Sequence, residues 1–150
     1  MVVAPGLSSP LGLDTAMRLS AAGRPAEFLT DTLAQQIAAS QLEPGSVCLV
    51  LSGSGATQSS IEAAQAAQAA GATVLVVTSF ARAPLVGYAT HALVVPPVNE
   101  SFSDELVHTS RAALALVLES LVEILVTLRG PRGRRARSLA LSLIEKRISS

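Results

Sequence analysis

The sequence predicts an α/β fold, a parallel sheet covered by helices on both faces. Short apolar runs without polar alternation recur at Val47-Cys48-Leu49-Val50-Leu51, Thr73-Val74-Leu75-Val76-Val77 and Ala92-Leu93-Val94-Val95, the pattern of strands buried on both faces. Turn residues close each run, and stretches of helix formers lie between the earlier ones, the rhythm of βαβ units. The 150 residues suit one such domain and are too few for two ordinary ones.

The first strand is expected at Val2-Val3-Ala4, closed by Pro5-Gly6, and a helix follows over residues 14–22. A further strand is expected at residues 26–29 and a second helix at 32–40. After the 47–51 strand, Ser52-Gly53-Ser54-Gly55 supplies a turn and residues 57–70 a helix, because 61–70 consist almost wholly of Ala, Gln, Glu and Ile. Gly71 stops that helix. Residues 103–128 are expected to form a long helix, with Leu106, Val107, Leu114, Val117, Leu121, Ile124, Leu125 and Leu128 at helical spacing. It is apolar around much of its circumference, so a second buried surface, an oligomer interface, is expected. Gly130-Pro131-Arg132-Gly133 is expected to break it before a short amphipathic helix over 138–148. The domain division is therefore 1–128 for the α/β body and 129–150 for a basic tail.

Composition narrows the function classes. The hydrophobic fraction is 49% but aromatics are only 3%, so the core is built from small aliphatic side chains. The longest apolar stretch carries Glu119 and Glu123, which argues against a membrane span, and no basic segment marks a signal peptide at the start. A cytoplasmic location is expected. The lone Cys48 lies in an apolar run and reads as a buried thiol. Charge is balanced overall but uneven: residues 1–128 hold four arginines against ten carboxylates, a net of −6, and residues 129–150 a net of +6. The basic run from Arg132 to Arg137 lacks interleaved aromatics, so it reads as a solvated linker, a segment docked on the acidic body, or a salt-labile nucleic-acid contact.

The segment that carries chemistry is Ser52-Gly53-Ser54-Gly55-Ala56-Thr57, between a buried strand and an alanine-rich helix. Ligands bind at the carboxyl ends of strands in open α/β sheets. Glycines let the backbone approach an anion, a helix start offers unpaired N–H groups, and three hydroxyls add donors. A phosphate monoester suits this loop without a metal, although an ordinary capped turn would use the same residue types. The lysine and spacing of a Walker A loop and the third glycine of a dinucleotide fingerprint are missing. No His/Cys/Asp cluster has zinc spacing, and no metal or cofactor is expected.

These residues resemble the S-x-S-G-x-T loop of sugar isomerase (SIS) domains, which bind phosphosugars. Gly71-Ala72-Thr73-Val74-Leu75-Val76-Val77-Thr78 is similar to a glycine-led strand of that family. Pro84-Leu85 with Ala89-Thr90-His91 is similar to its proline-leucine segment, with Ala83 in place of the usual Ser and His91 in place of the usual Asp. The resemblance runs from Val2 to about Leu128 and is strongest between Pro44 and Val95. It implies a three-layer αβα sandwich around a five-stranded parallel sheet, usually dimeric or tetrameric. It also implies that Ser52, Ser54 and Thr57 hold a phosphate by their hydroxyls, with Gly53 and Gly55 as backbone donors. Ser8 would contact the sugar or phosphate, with Ser9 as the alternative.

Within the superfamily, Asp14-Thr15-Ala16-Met17-Arg18-Leu19 with Gly23, and Ser110-Arg111-Ala112-Ala113-Leu114, most resemble the effector domain of RpiR-type transcription regulators. Those regulators carry an N-terminal helix-turn-helix domain, whereas Met1 lies here at the edge of the first strand. DNA contact is expected only through such a domain, if at all. The competing reading is an aldose–ketose phosphosugar isomerase, which needs a base near the carbonyl and often a His. Glu100, Glu105 and His108 are its candidates, although an acidic approach to a helix start explains the two glutamates equally. His91 reads as structural.

Overall fold

The computed structural model describes residues 1–97 and 111–148. Four parallel strands, β1 (Val2–Val3), β2 (Val47–Leu51), β3 (Thr73–Thr78) and β4 (His91–Val94), lie in the order β1-β2-β3-β4. Val2 pairs with Leu49, Leu49 with Leu75 and Leu75 with His91, so one register runs across the sheet. The fifth strand expected at residues 26–29 is reduced to a single parallel bridge between Phe28 and Val2, with the Val2 N–H donating to the Glu27 carbonyl at 2.8 Å. The cause is local: β1 is two residues long before Pro5 and Gly6 turn the chain away, so it offers almost no edge to pair with.

Helices α1 (Ser9–Ala21) and α4 (Ala112–Leu128) cover one face, while α2 (Thr32–Ser40) and α3 (Gln58–Ala69) cover the other. On the α2/α3 face, Val3, Cys48, Val50, Val74 and Val76 meet Ala39, Ala63, Ala64 and Ala67. On the α1/α4 face, Val2, Ala4, Leu49, Leu51 and Val77 meet Ala16, Leu114 and Leu118. The core is therefore the small-side-chain core that the composition implied.

Helix α1 begins five residues before the expected start. Pro10 sits in its first turn, where a missing N–H costs nothing, and Gly12 is required by contact rather than by a break. A Cβ there would stand 2.7 Å from the Phe28 ring. Helix α3 is the predicted one to within a residue: Thr57 caps it in extended conformation, and Gly71 follows it at φ +80°. In α4 the buried residues Leu114, Leu118, Val122 and Val126 recur every fourth position, whereas Leu116, Ile124 and Leu128 are exposed.

Two expectations are corrected. Strand β4 is exposed at all four residues, because it is the edge of the sheet rather than an interior strand. The basic segment is no linker: Gly130 turns the chain at φ +55° and α5 (Pro131–Ile148) then runs unbroken through it. Pro131 suits a helix start. A Cβ on Gly133 would stand 2.6 Å from the Val126 carbonyl oxygen, so α5 packs tightly back on α4. Arg137 holds Glu123 of α4 through two hydrogen bonds of 2.8 and 2.5 Å. Among the described residues, no helix is long and apolar enough to cross a membrane.

Candidate functional site

Strand order fixes where a ligand can sit. From β1 the chain goes first to Phe28 on one side and then crosses to β2 on the other. The connections after β1 and β2 therefore diverge, and open α/β sheets bind ligands in the crevice at such a point. Both connections leave the carboxyl edge of adjacent strands, about 4.8 Å apart. One is the Gly6–Ser8 turn and the other the 52–57 loop.

The 52–57 loop is built from the sheet outward. The Ser52 N–H continues the ladder onto the Val77 carbonyl at 3.1 Å, and its side chain, only 4% exposed, accepts from the Gly55 N–H at 3.1 Å. Gly55 lies at φ +60°, and a Cβ there would run into the Ala83 Cβ and stand 2.7 Å from Thr78 Oγ1. The Gly53 carbonyl is held by Thr78 Oγ1 at 3.1 Å and by the Ser79 N–H at 2.9 Å. The Gly55 carbonyl accepts from the Leu85 N–H at 3.0 Å. Thr78, Ser79 and Leu85 are supports outside the 52–57 motif; Thr78 and Leu85 lie in the two further segments that resemble the family.

What remains unpaired defines the chemistry. Ser54 Oγ accepts from the Ala56 N–H at 3.2 Å, so Ser52 and Ser54 both have their oxygens fixed by an amide while their O–H groups stay available to donate. Among the described residues, the N–H groups of Gly53, Ser54, Thr57, Gln58 and Ser59 find no acceptor. Three of them open α3, whose dipole favours negative charge. Gly55 differs from Gly53: its N–H is spent on Ser52, so it contributes backbone conformation rather than a donor. Thr57 is exposed, with its hydroxyl making no capping bond. This is a donor-rich loop suited to an anion.

Across the crevice, Ser9 Oγ donates to the Ala4 carbonyl at 2.9 Å, which uses its proton. Ser8 is half-buried and its side chain makes no such bond. Of the two serines, Ser8 is the one free to donate. The alternative catalytic residues Glu100, Glu105 and His108 lie outside the described residues. His91 opens β4 and is exposed. Ser60, in the first turn of α3, is wholly buried with an unpartnered Oγ. Among the described residues, no group of three His, Cys, Asp or Glu side chains could hold a metal ion.

The SIS domain family model matches residues 1–120. No curated protein matches this sequence closely enough to count as a relative. Among solved structures, the Vibrio vulnificus NanR protein complexed with ManNAc-6P superposes with a TM-score of 0.81 at 24% identity, over 97% of this chain and 55% of that one. The sugar isomerase domain of an RpiR transcription factor from Sphaerobacter thermophilus gives 0.79 at 18% identity, over 97% and 76%. An E. coli CFT073 protein in complex with A5P gives 0.72 at 18% identity, over 85% and 69%. This chain thus spans little more than half the length of NanR.

Proposed function

We propose that this chain, which belongs to the SIS domain family, binds a sugar phosphate and serves as the effector-sensing part of an RpiR-like transcriptional regulator. The observation that carries the reading is the 52–57 loop, whose free hydroxyl protons and open amides stand at the crevice between β1 and β2. Ser52, Ser54 and Thr57 hold the phosphate oxygens with Gly53 as a backbone donor, and Ser8 meets the sugar. Charge-assisted hydrogen bonds to fixed donors supply the affinity. Support for sensing over catalysis comes from the likeness in shape to two regulator structures over nearly the whole chain. A homodimer or homotetramer is part of the reading, because the apolar residues of α4 and α5 that face solvent need cover. DNA would be met through a separate domain.

Phosphosugar isomerisation is the second reading. Strand β4 ends at the carboxyl edge of the sheet, and the candidate acid–base residues Glu100, Glu105 and His108 follow it in the sequence.

A thermal-shift screen against sugar phosphates, each beside its unphosphorylated sugar, tests both. A ligand at a hundred times its Kd adds about 2.7 kcal/mol, several degrees for a domain of this size. Stabilisation by phosphorylated members alone, without turnover, is the expected outcome. Turnover abolished by Glu100→Gln, Glu105→Gln or His108→Ala would replace sensing by catalysis, and no shift with any compound would remove the anion site.

A further inference from the structure

We propose that Arg82 is the cation of the anion site, reaching from the loop after β3 to pair with the phosphate held by the 52–57 loop. The inference rests on the phosphosugar reading and adds a charged ligand contact from a third connection. Every donor in the 52–57 loop is neutral, while a phosphate monoester carries about −1.5 to −2 charges near pH 7. Among the described residues, the connections leaving the carboxyl edge of the sheet carry two basic side chains, Arg82 after β3 and Arg111 at the start of α4, and of these Arg82 belongs to the segment whose backbone is bound to the 52–57 loop.

Its backbone is held against the site. Thr78 and Ser79 bind the Gly53 carbonyl, Leu85 binds the Gly55 carbonyl, and Ala83 lies where a Cβ on Gly55 would fall. The Ala83 N–H donates to the Phe80 carbonyl at 3.2 Å, closing a turn with Arg82 at its third position. The Cα of Arg82 is thus about 3.8 Å from that of Ala83, which touches the loop, and its long side chain can span the remaining distance. Arg82 is exposed and has no carboxylate partner among the described residues. An arginine can offer a phosphate two parallel N–H donors, so it adds geometry as well as charge.

The probe is inorganic phosphate, titrated into the whole chain by calorimetry at low and moderate salt, with wild type, Arg82→Ala, Arg82→Lys and Ser54→Ala compared. Arg82→Ala is expected to weaken binding about tenfold or more and to flatten its salt dependence. Arg82→Lys is expected to recover the salt dependence and part of the affinity, and the melting temperature without phosphate should be common to all three Arg82 forms. Wild-type affinity in Arg82→Ala beside weakened binding in Ser54→Ala would overturn the role of Arg82 and leave the loop as the anion site. Equal affinity in wild type and Ser54→Ala, or no binding by wild type, would overturn the site itself and this inference with it.

Discussion

The amide of Gly55 donates to the hydroxyl oxygen of Ser52 across 3.1 Å, within a loop that returns on itself in four residues. Because the same amide also points at the Ser52 carbonyl at 3.1 Å, the turn is closed by a shared donor. Ser52 keeps its proton for a ligand only while Gly55 keeps its left-handed conformation.

Replacing Gly55 should therefore cost stability and binding together. In Gly55→Ala the residue is strained at φ +60°, and its methyl group meets Ala83 and Thr78. A loss of about 1–3 kcal/mol is expected from the backbone alone, read as a melting temperature lower by several degrees. A variant as stable as wild type would show that the loop relaxes freely.

Ser54 is the cleaner probe of recognition, because its side chain supports only the neighbouring Ala56 amide. Ser54→Ala should leave the fold intact and weaken phosphosugar binding by about 1.5–3 kcal/mol through one lost bond to a charged group. Calorimetry with the tightest compound of the thermal screen measures it, and undiminished affinity would remove Ser54 from the site.

The solvent-facing apolar residues lead to a prediction about assembly. Leu139, Leu143 and Ile148 of α5 are all more than half exposed, as are Ile124 and Leu128 of α4. Light scattering at micromolar concentration should give at least twice the chain mass. Leu139→Glu combined with Leu143→Glu should shift it toward the monomer, and a wild-type monomer would contradict the assignment.

Glu123 links helix pairing to pH. Its carboxyl is held below the usual range, first by the hydrogen bonds from Arg137 and then by the charges of Arg137 and Arg18. A depressed carboxyl contributes stability above its unfolded value and loses it as pH falls through the folded one. The difference in melting temperature between wild type and Glu123→Gln should be present at neutral pH and vanish in acid. A difference independent of pH would assign the effect to packing.

Cys48 titrates in the opposite sense. Burial pushes its thiol up to about 11, so the native protein should not react with a thiol reagent at pH 8 and should react once unfolded. In the unfolded chain the thiol ionises near 9, so stability should fall as pH rises from there toward 11. Rapid labelling of the folded chain would show that the β2 region opens locally.

The strands over residues 47–51 and 73–78 and the loop between β2 and α3 were legible in the sequence, since continuous apolar runs and the Ser-Gly-Ser-Gly spacing are local signals. The start of α1 at Ser9 was not legible, because a proline at position 10 and a glycine at 12 are poor helix formers. The close approach of both Ala4 and Phe28 explains the glycine. The unbroken α5 was hidden in the same way by Gly130, Pro131 and Gly133, each of which has a separate geometric use. Edge and interior strands share one composition, so the exposure of β4 could not be read from its residues. In the site, the serines were legible but their division of labour was not, because which hydroxyl proton is free depends on partners such as Ala4 and Ala56.

The alanines at 63, 64 and 67 that seat α3 on the sheet have a consequence beyond shape. An alanine has no rotamers to freeze, so docking these three residues costs only backbone entropy. The first turn of α3 is thereby set before any ligand arrives, its amides already aimed at the crevice. Association then spends little on ordering the receptor, and more of each hydrogen bond survives as affinity.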